Sequence, residues 1–432
     1  MREYFCDQLA NGLRLVTVEM PHLHCAEMAC YVQVGGRDES ADLAGISHFL
    51  EHILFRGSLD FPSTFVLERA FEAIGGAVNA ATDVESTCYH SRFHPQHLNE
   101  AARLFASLLT RPLFADVELE RRIILEEALD DLNERGEDVS PDNLTAGLLW
   151  PDHPLSLPTI GSTGSIKAIR ENDLRAHHGR YYTPVNAVVV VAGNVRREAA
   201  LQAVTAAFGH WQGSGGPERQ SPAPRGAHGP EVAWAKDSDS QILLQLAFRA
   251  PGRGHADTVP LRVLRWVLSW GGASRLMLRL REQLGLTYHV EAGLSMLADC
   301  GSFTIDLAVA PKNLERAVTE VLGVVARLCR EPVPEEELQG VLRAYLFDLE
   351  FSQDHTEAML SRYGWGELTD YLRTVEDDRR EVMAVTAEAI QQAARSVFAP
   401  GNLKLAIVGP WKEAHRRAVN KVLAAYSPLT EA

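Results

Sequence analysis

Short apolar segments and longer amphipathic stretches succeed one another twice along this chain, in the same order each time. The first pass opens with residues 13–20 (LRLVTVEM) and 28–36 (MACYVQVGG), where apolar and β-branched residues recur at strand-like spacing. It continues through long helical patterns and ends in an apolar run closed by glycine, residues 188–194 (VVVVAGN). The second pass repeats the plan with residues 231–237 (EVAWAKD), residues 241–250 (QILLQLAFRA) and a terminal run at 404–410 (KLAIVGP). Between them, residues 212–230 (QGSGGPERQSPAPRGAHGP) hold five glycines and four prolines with few apolar side chains, the composition of a linker. Two copies of one α+β unit are therefore expected, over residues 1–211 and 231–432, which suits a chain of 432 residues.

One helical segment of the first copy carries chemistry. In residues 42–58 (DLAGISHFLEHILFRGS), a turn of about 100° per residue gathers His48, Glu51, His52 and Phe55 in one quadrant and puts Ile46, Leu50, Ile53 and Leu54 on the other side. Imidazoles at i and i+4 are close enough to chelate one Zn²⁺, and a glutamate on the same face is placed to take a proton from water at the metal. A bland reading stands beside this one: a partly exposed amphipathic helix with two incidental histidines. Laying residues 266–272 (WVLSWGG) over residues 52–58 (HILFRGS) puts Arg262, Arg265 and Trp266 where His48, Glu51 and His52 stand. The second copy is thus expected to share the fold and lack the metal.

Zinc held by two histidines needs a third protein ligand, and a carboxylate is the usual donor where cysteines are absent. A helix is expected over residues 117–134 (VELERRIILEEALDDLNE). Seven residues apart, Glu120 and Glu127 stack on one face about 20° out of line, whereas Glu126 points about 100° away. Glu127 is the expected ligand, with Glu120 the carboxylate that supports the site from behind. The stretch runs on into an acidic patch, residues 126–138, where seven carboxylates face Arg135 alone, which also reads as a solvated helix face.

Composition narrows the classes that fit. Hydrophobic residues at 46% and charged residues at 23% are ordinary for a soluble globular enzyme. The longest plainly apolar run, residues 187–192, is far short of the roughly 20 residues that span a bilayer. A formal net charge of −15 disfavours nucleic-acid and anionic-membrane partners, because neutralising phosphate takes clustered Lys and Arg. Cys6, Cys25, Cys30, Cys88, Cys300 and Cys329 form no CxxC pair and read as reduced thiols. The opening residues MREYFCDQLANGLRL lack the pattern of a secretory signal, so a cytoplasmic location is expected.

HFLEH is the inverted zinc motif H-x-x-E-H, and residues 118–127 (ELERRIILEE) resemble the downstream segment that supplies the third ligand in the pitrilysin family of zinc metallopeptidases. That family includes insulin-degrading enzyme and the mitochondrial processing peptidase. Residues 75–90 (GGAVNAATDVESTCYH), 153–162 (HPLSLPTIGS) and 181–194 (YYTPVNAVVVVAGN) are similar to it as well, so the resemblance covers most of the first half. It is to the bacterial two-domain type. It implies two homologous α/β-sandwich halves, each a mostly antiparallel sheet packed with helices, forming one arm of a clamshell. It also implies that residues 75–87 hold the edge strand on which a peptide lies as an added strand, with Asn79, Ala80, Ala81 and Thr82 at the contact. From the second half, the resemblance implies that Arg281 and Tyr288 in residues 280–290 (LREQLGLTYHV) reach the active site across a closed clamshell. The tyrosine hydroxyl would stabilise an oxyanion and the arginine hold a substrate carbonyl. Relatives that keep only the zinc or only this pair work as heterodimers. A chain carrying both is expected to form a homodimer, with a heterodimer with a paralogue as the alternative.

The expected function is a zinc-dependent endopeptidase that hydrolyses peptides or unfolded polypeptide segments in a closed chamber, either as general turnover or by maturing a peptide precursor. One Zn²⁺ per chain would sit on His48, His52 and Glu127, with Glu51 as general base and then proton donor to the leaving amine. The alternative is a non-catalytic peptide-binding or structural subunit of the same fold. His22, His24, His90, His94, His97, His177 and His178 lack a comparable spacing and are expected to be surface or structural residues.

Overall fold

The computed structural model describes residues 3–219, 221–222 and 229–429. Of the expected linker, residues 220 and 223–228 lie outside the described residues. The chain divides into two compact units, one from Met1–Ala128, Leu157–Gln220 and Glu350–Asp377, the other from Leu129–Ser156, Ser221–Leu349 and Asp378–Ala432. Each unit is built on its own sheet.

The sheet of the first unit contains β1 (Phe5–Gln8), β2 (Arg14–Glu19), β3 (Ala26–Val32), β4 (Asn79–Thr82), β5 (Thr87–Phe93) and β6 (Ala187–Gly193) in the order β1-β2-β6-β3-β5-β4. Only β2 and β6 run parallel. Strands β3 and β6 are buried along their whole length, as strands covered on both faces must be. Period-two alternation divides their side chains. Met28, Cys30, Val189 and Val191 join the core under α1 (Ile46–Leu54), α2 (Thr64–Ala73), α3 (Leu98–Thr110) and α4 (Val117–Glu127). Ala29, Tyr31, Val188 and Val190 face the other way, onto Met359, Leu360, Tyr363 and Leu368 from a helical segment far along the chain. That segment is tied down by the Tyr363 hydroxyl, which donates to Glu3 at 2.5 Å, and by Thr356, which donates to Glu27 at 2.6 Å.

The second unit contains β7 (Glu231–Lys236), β8 (Ile242–Pro251), β9 (Val290–Met296), β10 (Cys300–Val309) and β11 (Leu403–Gly409) in the order β7-β11-β8-β10-β9. Here β7 and β11 are the parallel pair. Strand for strand this repeats β2-β6-β3-β5-β4, so one α+β fold occurs twice, each time as a mostly antiparallel sheet packed with helices. One face carries α5 (Pro141–Leu149), which comes from the first half of the sequence. Gln245 on β8 donates to Asp142 of α5 at 2.5 Å and to Asp306 of β10 at 2.7 Å, while Thr145 of α5 donates back to Gln245. The alternate residues Leu244, Leu246 and Phe248 enter the core with Leu264, Val321 and Ile390 from helices Thr258–Ser269, Leu314–Arg330 and Ala387–Val397. Each unit therefore takes its sheet from one half of the sequence and a helical segment from the other.

The helix expected over 117–134 is shorter: α4 ends at Glu127, a single 3₁₀ turn covers Ala128–Asp131, and Leu132 bridges back to Asp138. Asn133 explains the stop, because its side-chain oxygen accepts from the amides of Arg135 at 2.9 Å and Glu137 at 3.0 Å, closing a local turn that competes with the helix. Among the described residues no helix is long and apolar enough to cross a membrane.

Candidate metal centre

Helix α1 is fixed at its first turn. Gly45, immediately before it, adopts φ +88°, and a Cβ there would meet the carbonyl oxygen of Ile160 at 2.3 Å, so a side chain is excluded on both grounds. The buried Glu39 carboxylate accepts from the amides of Gly45 at 2.6 Å and Ser47 at 2.8 Å. It thereby satisfies donors that a helix start leaves unpaired and sits at the positive end of the helix dipole. Burial raises the Glu39 pKa, opposed by those same amides. Ser47 shares a 3.0 Å hydrogen bond with Nε2 of His177. Burial, with the nearby Arg180 and His178, lowers His177 to about 3, so its ring is neutral. With Phe49, Leu50, Ile53 and Leu54 sunk in the core, His48, Glu51 and His52 project from the opposite face of α1.

Helix α4 delivers the carboxylates. The Arg121 guanidinium lies 5.3 Å from the centre of the Phe49 ring, holding α4 against α1. At the last residue of α4, Glu127 sets Oε1 3.6 Å from Nε2 of His48 and Oε2 3.5 Å from Nε2 of His52. One donor atom from each of the three side chains lies within 4.8 Å of the others. One position back, Glu126 is exposed and outside the group. On the far side of the His52 ring, Glu120 is buried with Oε2 3.2 Å from Nδ1, and it also pairs with Arg56. Glu51 is buried as well and accepts a 2.5 Å hydrogen bond from the Thr82 hydroxyl.

The electrostatics sort these groups by role. Burial, with the neighbouring His52, lowers His48 to about 4 and leaves a neutral ring with a free lone pair. Burial pulls His52 down too, but the hydrogen bond and charge of Glu120 outweigh it and the net shift is upward. Burial pushes Glu120 up, and His52 and Arg56 reverse this, so it is held ionised. Glu51 is raised by burial, with Thr82 opposing.

Two imidazole nitrogens and one carboxylate are the donor set of a zinc site with an open position. Ligand distances of about 2.0–2.1 Å imply donor–donor edges of about 3.3 Å; each histidine Nε2 has its own Glu127 oxygen at 3.5 or 3.6 Å, and one donor atom from each residue fits within 4.8 Å. Nε2 of His48 faces Glu127, and Nδ1 of the same ring is buried without a hydrogen-bond partner among the described residues. Among the described residues no other group of three or more such side chains gathers. At the positions of the second copy aligned with the motif, Arg262 pairs with Asp378 at 3.0 Å and Trp266 stacks on Trp270.

The remaining expected residues fall in two places. Strand β4 is the last strand of its sheet, with Asn79 and Ala81 exposed and Ala80 and Thr82 half-buried, Thr82 on Glu51 and Ala80 against the core. Arg281 and Tyr288 lie together in the second unit, the guanidinium 4.9 Å from the ring centre. Arg281 belongs to a π-helical stretch, Met277–Gln283. Tyr288 is 83% exposed and stands in the loop before β9. Sequence reasoning missed Glu39, the Ser47–His177 pair, Arg56 and the bond from Thr82 to Glu51. Only Glu39 had a local signal, an acid upstream of a helix start; the others meet partners distant in sequence or carry no distinctive spacing.

Two family profiles match the chain: Insulinase (Peptidase family M16) over residues 14–163 and Peptidase M16 inactive domain over residues 168–345. A Mycobacterium tuberculosis protein described as an uncharacterized zinc protease is 34% identical over 414 residues, covering 93% of this chain and 92% of that protein. Among solved structures, a protease from Helicobacter pylori aligns with TM-score 0.83 at 21% identity, over 94% of this chain and 99% of that one. A peptidase M16 inactive domain from Pseudomonas fluorescens aligns with TM-score 0.85 at 20% identity, over 95% and 99%. Structural likeness at such identity speaks for the fold alone, since one fold hosts active and inactive members.

Proposed function

The chain belongs to the insulinase family of zinc proteases, peptidase family M16, and from that premise we propose that it is a zinc-dependent endopeptidase acting on extended peptides or unfolded segments. The observation that carries this is the His48, His52 and Glu127 donor set with Glu51 beside it, next to an open sheet edge. When bound, zinc would supply Lewis acidity to an attacking water and to the scissile carbonyl. Glu51 takes the proton of the attacking water and later returns it to the leaving amine, and Thr82 fixes the orientation of its carboxylate. The edge of β4 offers main-chain groups to an extended substrate, which pairs as an added strand.

Exposure of Tyr288 with Arg281 over its ring suits a pair offered to another surface. In this reading the protein is a homodimer enclosing a chamber, and each zinc site is completed by Arg281 and Tyr288 of the partner subunit. Mixing Glu51→Gln chains with Tyr288→Phe chains tests that arrangement. With one working site per mixed dimer and half of the dimers mixed, a random equal mixture recovers up to roughly a quarter of wild-type activity, and no recovery after verified subunit exchange rejects it.

For the peptidase reading, purified protein should carry about one zinc per chain and cleave an internally quenched peptide at an interior bond. Glu51→Gln should keep the metal and lose several orders of magnitude in kcat, because the amide keeps the size of the side chain but accepts no proton. Activity of that variant within about tenfold of wild type removes Glu51 from the role of base.

A further inference from the structure

The stretch whose composition reads as a free tether is, in its first part, packed against the first unit. Trp211 is buried in the core and its indole donates to the carbonyl of Tyr182 at 3.2 Å. Thr183 donates to the carbonyl of Gly215 at 2.7 Å, and a Cβ on Gly215 would meet the carbonyl oxygen of Arg180 at 2.1 Å. The strap ends on Arg219, whose guanidinium forks onto both oxygens of Asp38 at 2.8 and 2.7 Å and donates to the main-chain oxygen of Glu85 at 2.6 Å. Arg37 closes the cluster on the Glu85 carboxylate at 2.6 Å.

These contacts converge on the turn between β4 and β5. Residues 83–86 are held from below by backbone as well: Arg37 donates its amide to the carbonyl of Val84 at 2.8 Å, and Gly36 donates to Asp83 at 3.3 Å. A Cβ on Gly35 would stand 2.0 Å from the Asp83 oxygen, so the two turns are in direct backbone contact. Asp83 follows Thr82, the last residue of the edge strand and the donor to Glu51. A continuous set of contacts therefore runs from Arg219 to the edge strand.

The side chains of Arg37, Asp38 and Glu85 are between 1% and 3% exposed and that of Arg219 is 12% exposed. A desolvated cluster of four charges gains little stability over an apolar replacement, because removing ions from water costs about what their attraction returns. What such a cluster does supply is geometry, since a planar guanidinium satisfies two carboxyl partners only in one orientation. We propose that Arg219 is a positioning residue for the substrate-bearing edge, acting through Asp38 and Glu85 on the 83–86 turn to set the placement of β4. This rests on the reading of β4 as the peptide seat.

A peptide paired along β4 makes those contacts in the ground state and the transition state alike, so a displaced strand raises KM, and kcat falls only as far as Thr82 is carried off Glu51. The experiment measures both constants, zinc content and thermal midpoint for the holoenzyme with Arg219→Gln and with Asp38→Asn, which breaks the fork from the other side. Each should raise KM by about fivefold or more with zinc retained, any fall in kcat accompanying that rise through Thr82. Arg219→Lys, which keeps the charge and loses the fork, carries the same expectation if the other two do not fold. A KM within about twofold of wild type in the folded variants overturns the proposal, as does a loss confined to kcat or to zinc. Wild-type protein that cleaves no peptide removes the peptidase reading and this inference with it, whereas cleavage with unaltered KM in the variants removes this inference alone.

Discussion

The Glu120 carboxylate lies 3.2 Å from Nδ1 of His52, while Nε2 of the same ring faces Glu127 at 3.5 Å. One nitrogen is thus occupied by an ionised partner, which leaves the other with its lone pair toward the metal position and makes it more basic. Glu120→Gln should weaken zinc binding by about 10- to 100-fold without unfolding the chain. Competition with a chromogenic chelator measures this, and unaltered affinity would show that the bond to Nδ1 does not tune the ligand.

Helix phasing decides between two neighbouring acids. Glu127 meets both histidines, and Glu126, one step of about 100° earlier, is exposed. Glu127→Gln should strip zinc from a folded protein, and Glu126→Gln should retain it. Metal analysis after gel filtration distinguishes them; the reverse outcome would mean that α4 presents its other face to α1.

Thr82 affects the base directly. Burial raises the Glu51 pKa and the Thr82 hydroxyl, donating at 2.5 Å, opposes that rise. In Thr82→Val the opposition is gone, so the pKa climbs further and the acid limb of the kcat/KM profile moves to higher pH. A profile that keeps its acid limb in place argues that the titrating group is not Glu51.

His177 links stability to pH. Its folded pKa of about 3 lies below the ordinary value of 6.5, so between those two values the unfolded chain binds a proton that the folded chain refuses. Its contribution to stability is complete above the unfolded value and is lost as pH falls toward the folded one, at up to about 1.4 kcal/mol per pH unit. His177→Gln keeps a hydrogen-bonding group beside Ser47 and cannot titrate. Denaturant unfolding at a series of pH values should therefore show a flatter dependence in the variant, and parallel curves would contradict the assignment.

What was legible in the sequence follows from short-range periodicity. Strand-like spacing marked β2, β3, β7 and β8, and unbroken apolar runs closed by glycine marked β6 and β11, because burial of one or both faces of a strand writes itself directly into side-chain type. A 3.6-residue period put His48, Glu51 and His52 on one face, since within two turns the backbone alone settles which side chains are neighbours. The same arithmetic separated Glu127 from Glu126, and it failed beyond Glu127, where Asn133 offers the backbone a local turn in place of the helix.

Tertiary structure alone decided everything that depends on which surfaces meet. No periodicity brings Thr82 to Glu51, His177 to Ser47, or Glu39 to the first amides of α1. Nor does composition show that Arg219, in a stretch rich in glycine and proline, ends in a buried fork with Asp38. Those partners are selected when the core packs α1, α4 and the β4–β5 turn onto one sheet. A hydrogen bond between residues distant in sequence forms only where burial of many other side chains has already placed both backbones.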